Sequence, residues 1–309
     1  MKINKQWLKG LLILQIALAA ILFWRNQDNG LPVEQLLLPE YSADKIDKLV
    51  VSSQDASVTI EKQGEDWLLP QLQNLPANKG QVSSALQKLA KLKLDWPVTT
   101  SSNSHQRFEL GEDNFQRRIL LQQGDNNVGE LLLGTSPGFR KVHLRIADDN
   151  NVYALELNSY DFPDKTDQWL NKSLLQVKKP KSIKAPGFTL LNNEESWELQ
   201  QSDGSTLKAE SLDNEKVKRL TQTLASLTVT GVAGLGIDLN AEAAIEIEVT
   251  DDTAHRFQFL SKEDRYFVKR DDRDTVFTLN KSVYEQIANM KSEDFLLLAE
   301  EPVVNAESS

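Results

Sequence analysis

The feature that most restricts the fold of this chain is a repeated order of patterns in its two halves. In each half a short strand-like run ends seven residues before a tryptophan, Trp67 in the first half and Trp197 in the second. A stripe of apolar residues at helical spacing follows each tryptophan, and it contains Leu89 in the first half and Leu224 in the second. Because several unlike patterns recur in one order, the sequence predicts two related units built on the same plan.

Each half continues with apolar or alternating runs that are separated by turn-forming residues. Residues 119–121 and 131–133 flank a Gly-Asp-Asn-Asn turn, and residues 245–249 alternate before a turn at Asp251. Such runs predict antiparallel strands joined by hairpins. We therefore expect an α+β fold, in which each unit is a mostly antiparallel sheet with an amphipathic helix on one face. Neither half shows the regular strand–helix alternation that is typical of a doubly wound parallel sheet.

Polar segments separate the expected units. We place the first α+β unit at residues 45–175 and the second at residues 187–298. Residues 176–186 contain four lysines and two prolines, and the pattern predicts a linker there. A second linker is expected at residues 26–44, and a flexible tail at residues 299–309.

Residues 1–25 have the composition of a transmembrane anchor. From Trp7 to Trp24 the chain is almost entirely apolar over 18 residues. A helix of that length reaches about 27 Å, which is enough to cross the hydrocarbon core of a bilayer. The side chains expected to face lipid are Trp7, Leu11, Leu12, Ile13, Leu14, Ile16, Leu18, Ile21, Leu22, Phe23 and Trp24.

The charges around this segment predict its orientation. Lys2, Lys5 and Lys9 precede the apolar run, so the positive-inside rule leaves the amino terminus in the cytoplasm. We therefore expect a single-pass protein of the bacterial inner membrane, with the bulk of the chain in the periplasm. A cleaved signal peptide is the alternative, because residues 17–19 have a small-x-small pattern. Residues 21–24 continue the apolar run through that point and favour an uncleaved anchor.

The composition excludes several classes of function. The net charge is −10, from 35 basic and 45 acidic side chains, and this balance opposes nucleic-acid binding, which needs clustered Lys and Arg. The chain has no cysteine, which excludes disulfides, thiolate metal sites, a cysteine nucleophile and a lipid-modified amino-terminal cysteine. Attachment to a membrane therefore depends on the apolar segment.

One motif resembles the nucleophile elbow of hydrolases. Residues 134–138 read Gly-Thr-Ser-Pro-Gly, with Ser136 at the position of the nucleophile. The residue after the nucleophile must donate its backbone N–H to an oxyanion, and Pro137 has none. A strand-like run follows at residues 139–146, where the elbow requires a helix. The motif therefore predicts a turn between antiparallel strands rather than a catalytic site.

The histidines show no metal-binding or catalytic pattern. His105, His143 and His255 have no partner at a spacing that binds metal. His143 and His255 lie in alternating runs, and we expect both side chains to face solvent.

Glycine-rich and acidic segments are also explained by turns. Gly231, Gly234 and Gly236 follow the second striped helix, where a helix end and a loop are expected rather than a phosphate-binding loop. The acidic turns lack the glycine and the distal glutamate of a calcium loop, so we predict no metal and no cofactor. Their residues are Asp148, Asp149, Asn150, Asp271, Asp272 and Asp274.

Several motifs together resemble a known bacterial family. They are the tryptophan after a strand pair, the leucine-striped helix, the Leu-Leu-Leu-Gly run at residues 131–134 and the Val-Tyr-Ala-Leu run at residues 152–155. With an amino-terminal anchor and a second, degenerate copy, the chain resembles the family called domain of unknown function 4340 over residues 45–298. Members are often encoded beside components of ABC transporters of the gliding-motility auxiliary type. The resemblance implies an accessory envelope protein that works with a transporter, and it carries over no catalytic residues.

The leading interpretation is a membrane-anchored extracytoplasmic binding or scaffold protein that is not an enzyme. Its expected partners are the lipid bilayer, through the amino-terminal helix, and transporter subunits or another envelope protein. Two alternatives stay open: an envelope hydrolase with scattered carboxylates, and a saccharide- or peptide-binding protein. The stacking platforms of a saccharide site would be Trp67, Trp96, Trp169 or Trp197.

Overall fold

The computed structural model of the chain describes residues 10, 12, 14–21, 42–193, 196–234, 237, 239 and 244–297. The chain forms two compact units. The first comprises the residues up to Gln71 together with Lys79–Thr166, and the second comprises Leu72–Asn78 together with the residues from Asp167 onwards.

The first unit ends before the predicted boundary at residue 175. Residues after Thr166 group with the segment Leu72–Asn78 because the two are hydrogen-bonded to each other. The Asn78 N–H donates to the Trp169 carbonyl at 2.7 Å, and Ala77 forms an antiparallel bridge with Leu170. This long-range pairing leaves no signal in the local sequence.

From residue 42 onwards, the described part of the first unit consists of antiparallel strands, the α-helix α1 (Lys79–Ala90) and short 3-10 helices. Its strands are β1 (Lys48–Ser52), β2 (Ser57–Gln63), β3 (Asp66–Leu69), β5 (Arg117–Gln123), β6 (Asn126–Leu133), β7 (Lys141–Ile146) and β8 (Tyr153–Glu156). The short strand β4 (Leu75–Pro76) belongs to the segment that groups with the second unit. Short 3-10 helices lie at Ala43–Lys45, Pro70–Leu72, Ser102–Ser104, Ser159–Asp161 and Thr166–Gln168.

The second unit contains two α-helices, α2 (Asn214–Ala225) and α3 (Lys281–Ala288). Its strands are β9 (Ser182–Ala185), β10 (Phe188–Asn192), β11 (Trp197–Gln201), β12 (Thr206–Leu207), β13 (Gly231–Val232), β14 (Ile245–Thr250), β15 (Ala254–Lys262), β16 (Arg265–Arg270) and β17 (Phe277–Leu279). Short 3-10 helices lie at Ala209–Ser211 and Ser292–Phe295.

The strand order is the same in the two sheets. From β3 onwards the first sheet runs β3-β2-β1-β5-β6-β7-β8. The second sheet runs β12-β11-β10-β9-β14-β15-β16-β17-β13, so β9 corresponds to β1 and β17 corresponds to β8. In both units a striped helix lies between the first three-stranded meander and the second meander in sequence. The predicted α+β class with two antiparallel sheet units is therefore confirmed.

The helices bury the apolar stripes that the sequence predicted. Val82, Ala85, Leu86 and Leu89 are buried on α1, and Val217, Leu220 and Leu224 are buried on α2. At the start of α2 the Asp213 carboxylate accepts hydrogen bonds from the Glu215 and Lys216 amides, which satisfies two of the free N–H groups of a helix end.

The predicted linker at residues 176–186 is wrong in part, because Ser182–Ala185 form the central strand β9. This strand pairs with β10 on one side and with β14 on the other. Ile183 is buried while Lys184 is exposed, so a single apolar side chain is enough to fix which face points inward. With so few apolar residues, a strand paired on both sides resembles a linker in the sequence.

The amino-terminal segment is described only in part. Residues 10, 12 and 14–21 are helical, and their side chains are exposed, among them Leu12, Leu14, Ile16, Leu18 and Ile21. In the part of the chain that the structure describes, no helix combines the length and the hydropathy needed to span a bilayer. The predicted linker residues 26–41, the tail 299–309 and part of the predicted anchor lie outside the described residues. The anchor and topology residues in this group are Lys2, Lys5, Trp7, Lys9, Leu11, Ile13, Leu22, Phe23 and Trp24.

A loop covers the second face of the first sheet and explains the Leu-Leu-Leu-Gly motif. Phe108 and Leu110 of this loop pack with Leu132 and Val152 in one buried cluster. Gly134 follows the buried strand end, and a Cβ atom at this position would lie 2.0 Å from the Phe108 carbonyl oxygen. The loop can approach the sheet this closely only because residue 134 has no side chain.

We predict that Gly134→Ala lowers the free energy of unfolding by about 3 kcal/mol, because the added methyl group pushes the loop from the sheet. The matched control is Gly138→Ala in the next turn, where a Cβ atom would meet nothing within 4 Å. That control should change the free energy of unfolding by no more than about 0.5 kcal/mol. Urea unfolding of the full chain in mild detergent measures both, and equal losses would contradict the packing argument.

Candidate functional site

Ser136 lies in a turn and not in a nucleophile elbow. Its hydroxyl donates to the Gly138 carbonyl at 2.8 Å and lies 2.7 Å from the Lys141 carbonyl oxygen. Strand β7 begins at Lys141, where an elbow would require a helix. The hydroxyl therefore closes the turn between β6 and β7.

His143 is buried, so the prediction that its side chain faces solvent is wrong. The imidazole is 7% exposed, and its Nδ1 lies 2.9 Å from the Thr135 hydroxyl. The Phe108 ring packs against it with the ring centroids 4.4 Å apart. The alternation of β7 was read correctly, but the loop that carries Phe108 covers the face that would otherwise be open.

Burial lowers the pKa of His143 below its ordinary value, because the charged imidazolium would lose solvation. A hydrogen bond with the Thr135 backbone opposes this shift, and the nearby Arg107 guanidinium adds to it. The neutral ring is therefore the favoured form in the folded protein.

The other two histidines also have local partners. His105 Nε2 lies 3.0 Å from the Asn150 carbonyl, and His255 Nε2 lies 3.0 Å from the Thr253 hydroxyl. Both residues are partly buried, so the expectation that the His255 side chain faces solvent holds only in part.

In the acidic turns, carboxylate groups bind other groups of the protein. The Arg270 guanidinium binds the Asp272 carboxylate through two contacts, at 2.7 and 2.8 Å, and its hydrogen bond lowers the pKa of that carboxyl. Asp149 accepts from the Asn151 amide at 3.0 Å. Among the described residues, no group of three or more His, Asp or Glu side chains is arranged to hold a metal ion.

The predicted tryptophan pair differs in burial. Trp67 is 6% exposed and lies beside α1 in a recess of about 390 Å³. The repeat predicts that both tryptophans lie in the cores of their units, and Trp197 is partly buried, more exposed than Trp67. It opens β11 and lines a recess of about 570 Å³ together with Lys178 and Lys179.

Burial also decides which tryptophans could act as stacking platforms. Trp169 is fully buried and offers no ring face to a sugar, whereas Trp96 is 62% exposed. Trp96 is thus the tryptophan of the first unit best placed to contact a partner.

A groove of about 800 Å³ in the first unit is the best candidate for a binding site. Its lining comes from β8 and the residues that follow it, from the end of α1 and the segment after it, and from Arg140 and Lys141. Buried leucines at positions 92, 155 and 157 supply an apolar floor. The volume lies within the range of small-molecule and peptide sites.

The groove is cationic although the chain as a whole is acidic. Its lining contains five basic side chains and three acidic ones. One pair is internally matched, because Lys88 Nζ lies 2.7 Å from an Asp161 carboxylate oxygen. The basic residues are Lys88, Lys91, Lys93, Arg140 and Lys141, and the acidic ones are Asp95, Glu156 and Asp161.

These residues were missed in the sequence because they come from three separate segments. Three lysines between positions 88 and 93 were the available signal, since they form a local basic cluster in an acidic chain. Their proximity to Arg140 and to β8 depends on the sheet topology.

The fold and the groove define a class of protein: two α+β units with antiparallel sheets, one of which carries an open cationic groove. The sequence model of the domain of unknown function DUF4340 matches residues 67–246, more than half of the chain. The chain therefore belongs to this family, as its strand and helix motifs predicted. No curated protein and no solved structure matches the chain.

We predict that His143 makes the first unit less stable in mild acid. Its lowered pKa means that the unfolded chain takes up the proton first as the pH falls below the ordinary value of 6.5. The stability contribution of the neutral ring is therefore present above that value and is lost as the pH falls towards the lowered pKa. His143→Asn, which keeps a polar contact for Thr135, should lose less stability between about pH 7 and pH 5 than the wild type. Denaturant unfolding at several pH values measures the difference, and parallel curves would contradict the assignment.

Proposed function

We propose that this protein is a membrane-anchored extracytoplasmic binding or scaffold protein, accessory to an ABC-type transporter. The single observation that carries the proposal is the open cationic groove along β8, with exposed Trp96 adjacent in sequence to its lining. Exposed aromatic residues and arginines beside buried apolar side chains are typical of a surface that receives another protein, and Trp96 and Arg140 supply them here.

The amino-terminal sequence supports a tether for this surface. The apolar run from Trp7 to Trp24 and the three preceding lysines favour a single-pass helix with residues 26–309 outside the cytoplasm. A short flexible linker raises the effective concentration of a tethered module near a membrane partner to the millimolar range. Weak contacts at the groove would then be sufficient for function.

The chemistry of the best hydrolase candidates favours binding over catalysis. Ser136 closes a turn, and His143 is packed under Phe108 with Thr135 as its partner. Neither side chain contacts the other in the part of the chain described. The family assignment adds the genomic association with transporter components as a reason to look for the partner among them.

The expected topology can be tested directly. A reporter that is active only outside the cytoplasm, fused after Ser309, should be active, and the protein should stay in membranes after a carbonate wash. The control is the same chain with residues 1–25 replaced by a cleavable signal, which should be exported and then released. Release of the wild-type protein by the wash, or an inactive reporter, would contradict the predicted membrane anchor.

The binding surface can be tested by site-specific photo-crosslinking in cells. A crosslinking amino acid at Trp96 should capture a transporter subunit or another envelope protein, because this position borders the groove. The matched control is Asp125, an exposed position in a turn of the same unit. Equal capture at both positions, or capture at Asp125 alone, would contradict the assignment of the surface. Mass spectrometry identifies the captured protein.

A further inference from the structure

Strand β8 has a backbone edge that is only partly paired. The Val98 amide donates to the Val152 carbonyl at 2.7 Å, and the Val152 amide donates to the Thr99 carbonyl at 2.9 Å. Both backbone groups of Val152 therefore point away from β7. Because backbone direction alternates along a strand, the N–H and C=O groups of Ala154 and Glu156 point to the same side. Within the described residues, no backbone group is hydrogen-bonded to them on that side.

In the second unit, the equivalent edge is paired with a further strand. There β17, the counterpart of β8, pairs with the short strand β13. The Ala233 amide donates to the Val276 carbonyl at 2.9 Å, as Val98 does to Val152. The Thr230 amide then donates to the Thr278 carbonyl at 2.8 Å. Thr278 corresponds to Ala154, whose carbonyl has no such donor among the described residues.

The sequence explains why the first unit lacks this strand. The 135-residue offset that relates Leu89 to Leu224 also relates Trp96-Pro97 to Gly231-Val232. The amides of Thr230 and Ala233, which donate to carbonyls beside and within β17, correspond to those of Asp95 and Val98. Val98 makes the equivalent hydrogen bond to Val152, whereas none from Asp95 to Ala154 is present among the described residues. Between them, Pro97 fixes its own φ angle and Trp96 is large and exposed. The first unit therefore leaves open the place that β13 fills in the second unit.

The open edge and the groove coincide. Ala154 and Glu156 line the groove together with the segment after α1. The surplus of basic side chains around this space favours an acidic occupant, since the attraction would be lost with a basic one. Phe139 and Tyr160, which are exposed, directly adjoin lining residues in the sequence.

We propose that the groove of the first unit binds an extended acidic segment of a partner protein, which adds as a strand to the outer edge of β8. The mode is β-strand addition, in which main-chain hydrogen bonds to Ala154 and Glu156 give affinity and the cations select the sequence. This inference rests on the proposed function and specifies its partner by chemistry.

The test uses the full chain in nanodiscs of phosphatidylcholine and a fluorescent peptide in which valine alternates with glutamate. Fluorescence anisotropy should show saturable binding that weakens as salt is added. The same peptide with lysine in place of glutamate should bind at least about tenfold more weakly. Methylation of the amides on one edge of the peptide should abolish binding, while methylation of the other edge should not, because only one edge pairs with β8.

Charge reversal in the protein gives a second, independent readout. Lys91→Glu combined with Arg140→Glu should lower the affinity for the acidic peptide by about tenfold or more and should raise the affinity for the lysine peptide. The matched control is Lys79→Glu at the other end of α1, an exposed lysine outside the groove lining. That variant should leave the affinity within about twofold, as expected of a distant exposed charge. Circular dichroism confirms that each variant is folded.

Several results would overturn the inference. Equal affinity for the two peptides, or no effect of methylation on either edge, would exclude strand addition of an acidic segment. Binding that appears only after residues 26–41 are deleted would make the chain's own segment the occupant. Loss of peptide binding on adding phosphatidylglycerol would assign the groove to lipid headgroups. If the peptide does not bind while crosslinking at Trp96 still captures an envelope protein, the proposed function stands and only the proposed binding mode is wrong.

Discussion

Both sheets depend on one strand that pairs on each side and joins the two halves of its unit. β1 lies between β2 and β5, and its partner Gln122 is 74 residues from Lys48 in the chain. β9 lies in the same way between β10 and β14. Without this pairing, the amino-terminal meander and the later meander would be separate, smaller sheets, and each would have one more exposed edge. Each striped helix packs on a sheet face that is complete only after the two meanders of its unit have paired.

In the first unit, a loop packs against the second face of the sheet and adds a further layer. The loop that contains Phe108 and Leu110 is held by Arg145, whose guanidinium is buried and donates to the Leu110 carbonyl at 2.9 Å. The same group lies 2.8 Å from a Glu112 carboxylate oxygen, and this hydrogen bond lowers the pKa of Glu112. A buried charge is tolerated only when it is paired and hydrogen-bonded, so the loop and the arginine require each other.

Local periodicity predicted the elements whose signal is contained in one segment. The helical stripes around Leu89 and Leu224 and the hairpin runs were sufficient to give the class, helices α1 and α2 and most strands. β9 was missed because a central strand with Ile183 as its one buried side chain has the composition of a linker. Helix α3 was missed because it has only eight residues. The burial of His143 and the cationic groove depend on segments that are far apart in sequence, and a single sequence gives no information about such contacts.

The difference between Trp96-Pro97 and Gly231-Val232 also sets the valency of the protein. At the sheet end formed by β8 in the first unit and by β17 in the second, β17 is paired with β13 while β8 has no further strand among the described residues, so this particular edge is open once per chain. A protein with one such edge forms complexes of limited size, whereas two edges would link partners into chains. Self-association through the same edge is opposed as well, because two copies would bring their lysines and arginines together. Asymmetry between two otherwise similar halves thus allows an exposed edge without the aggregation that such edges usually cause.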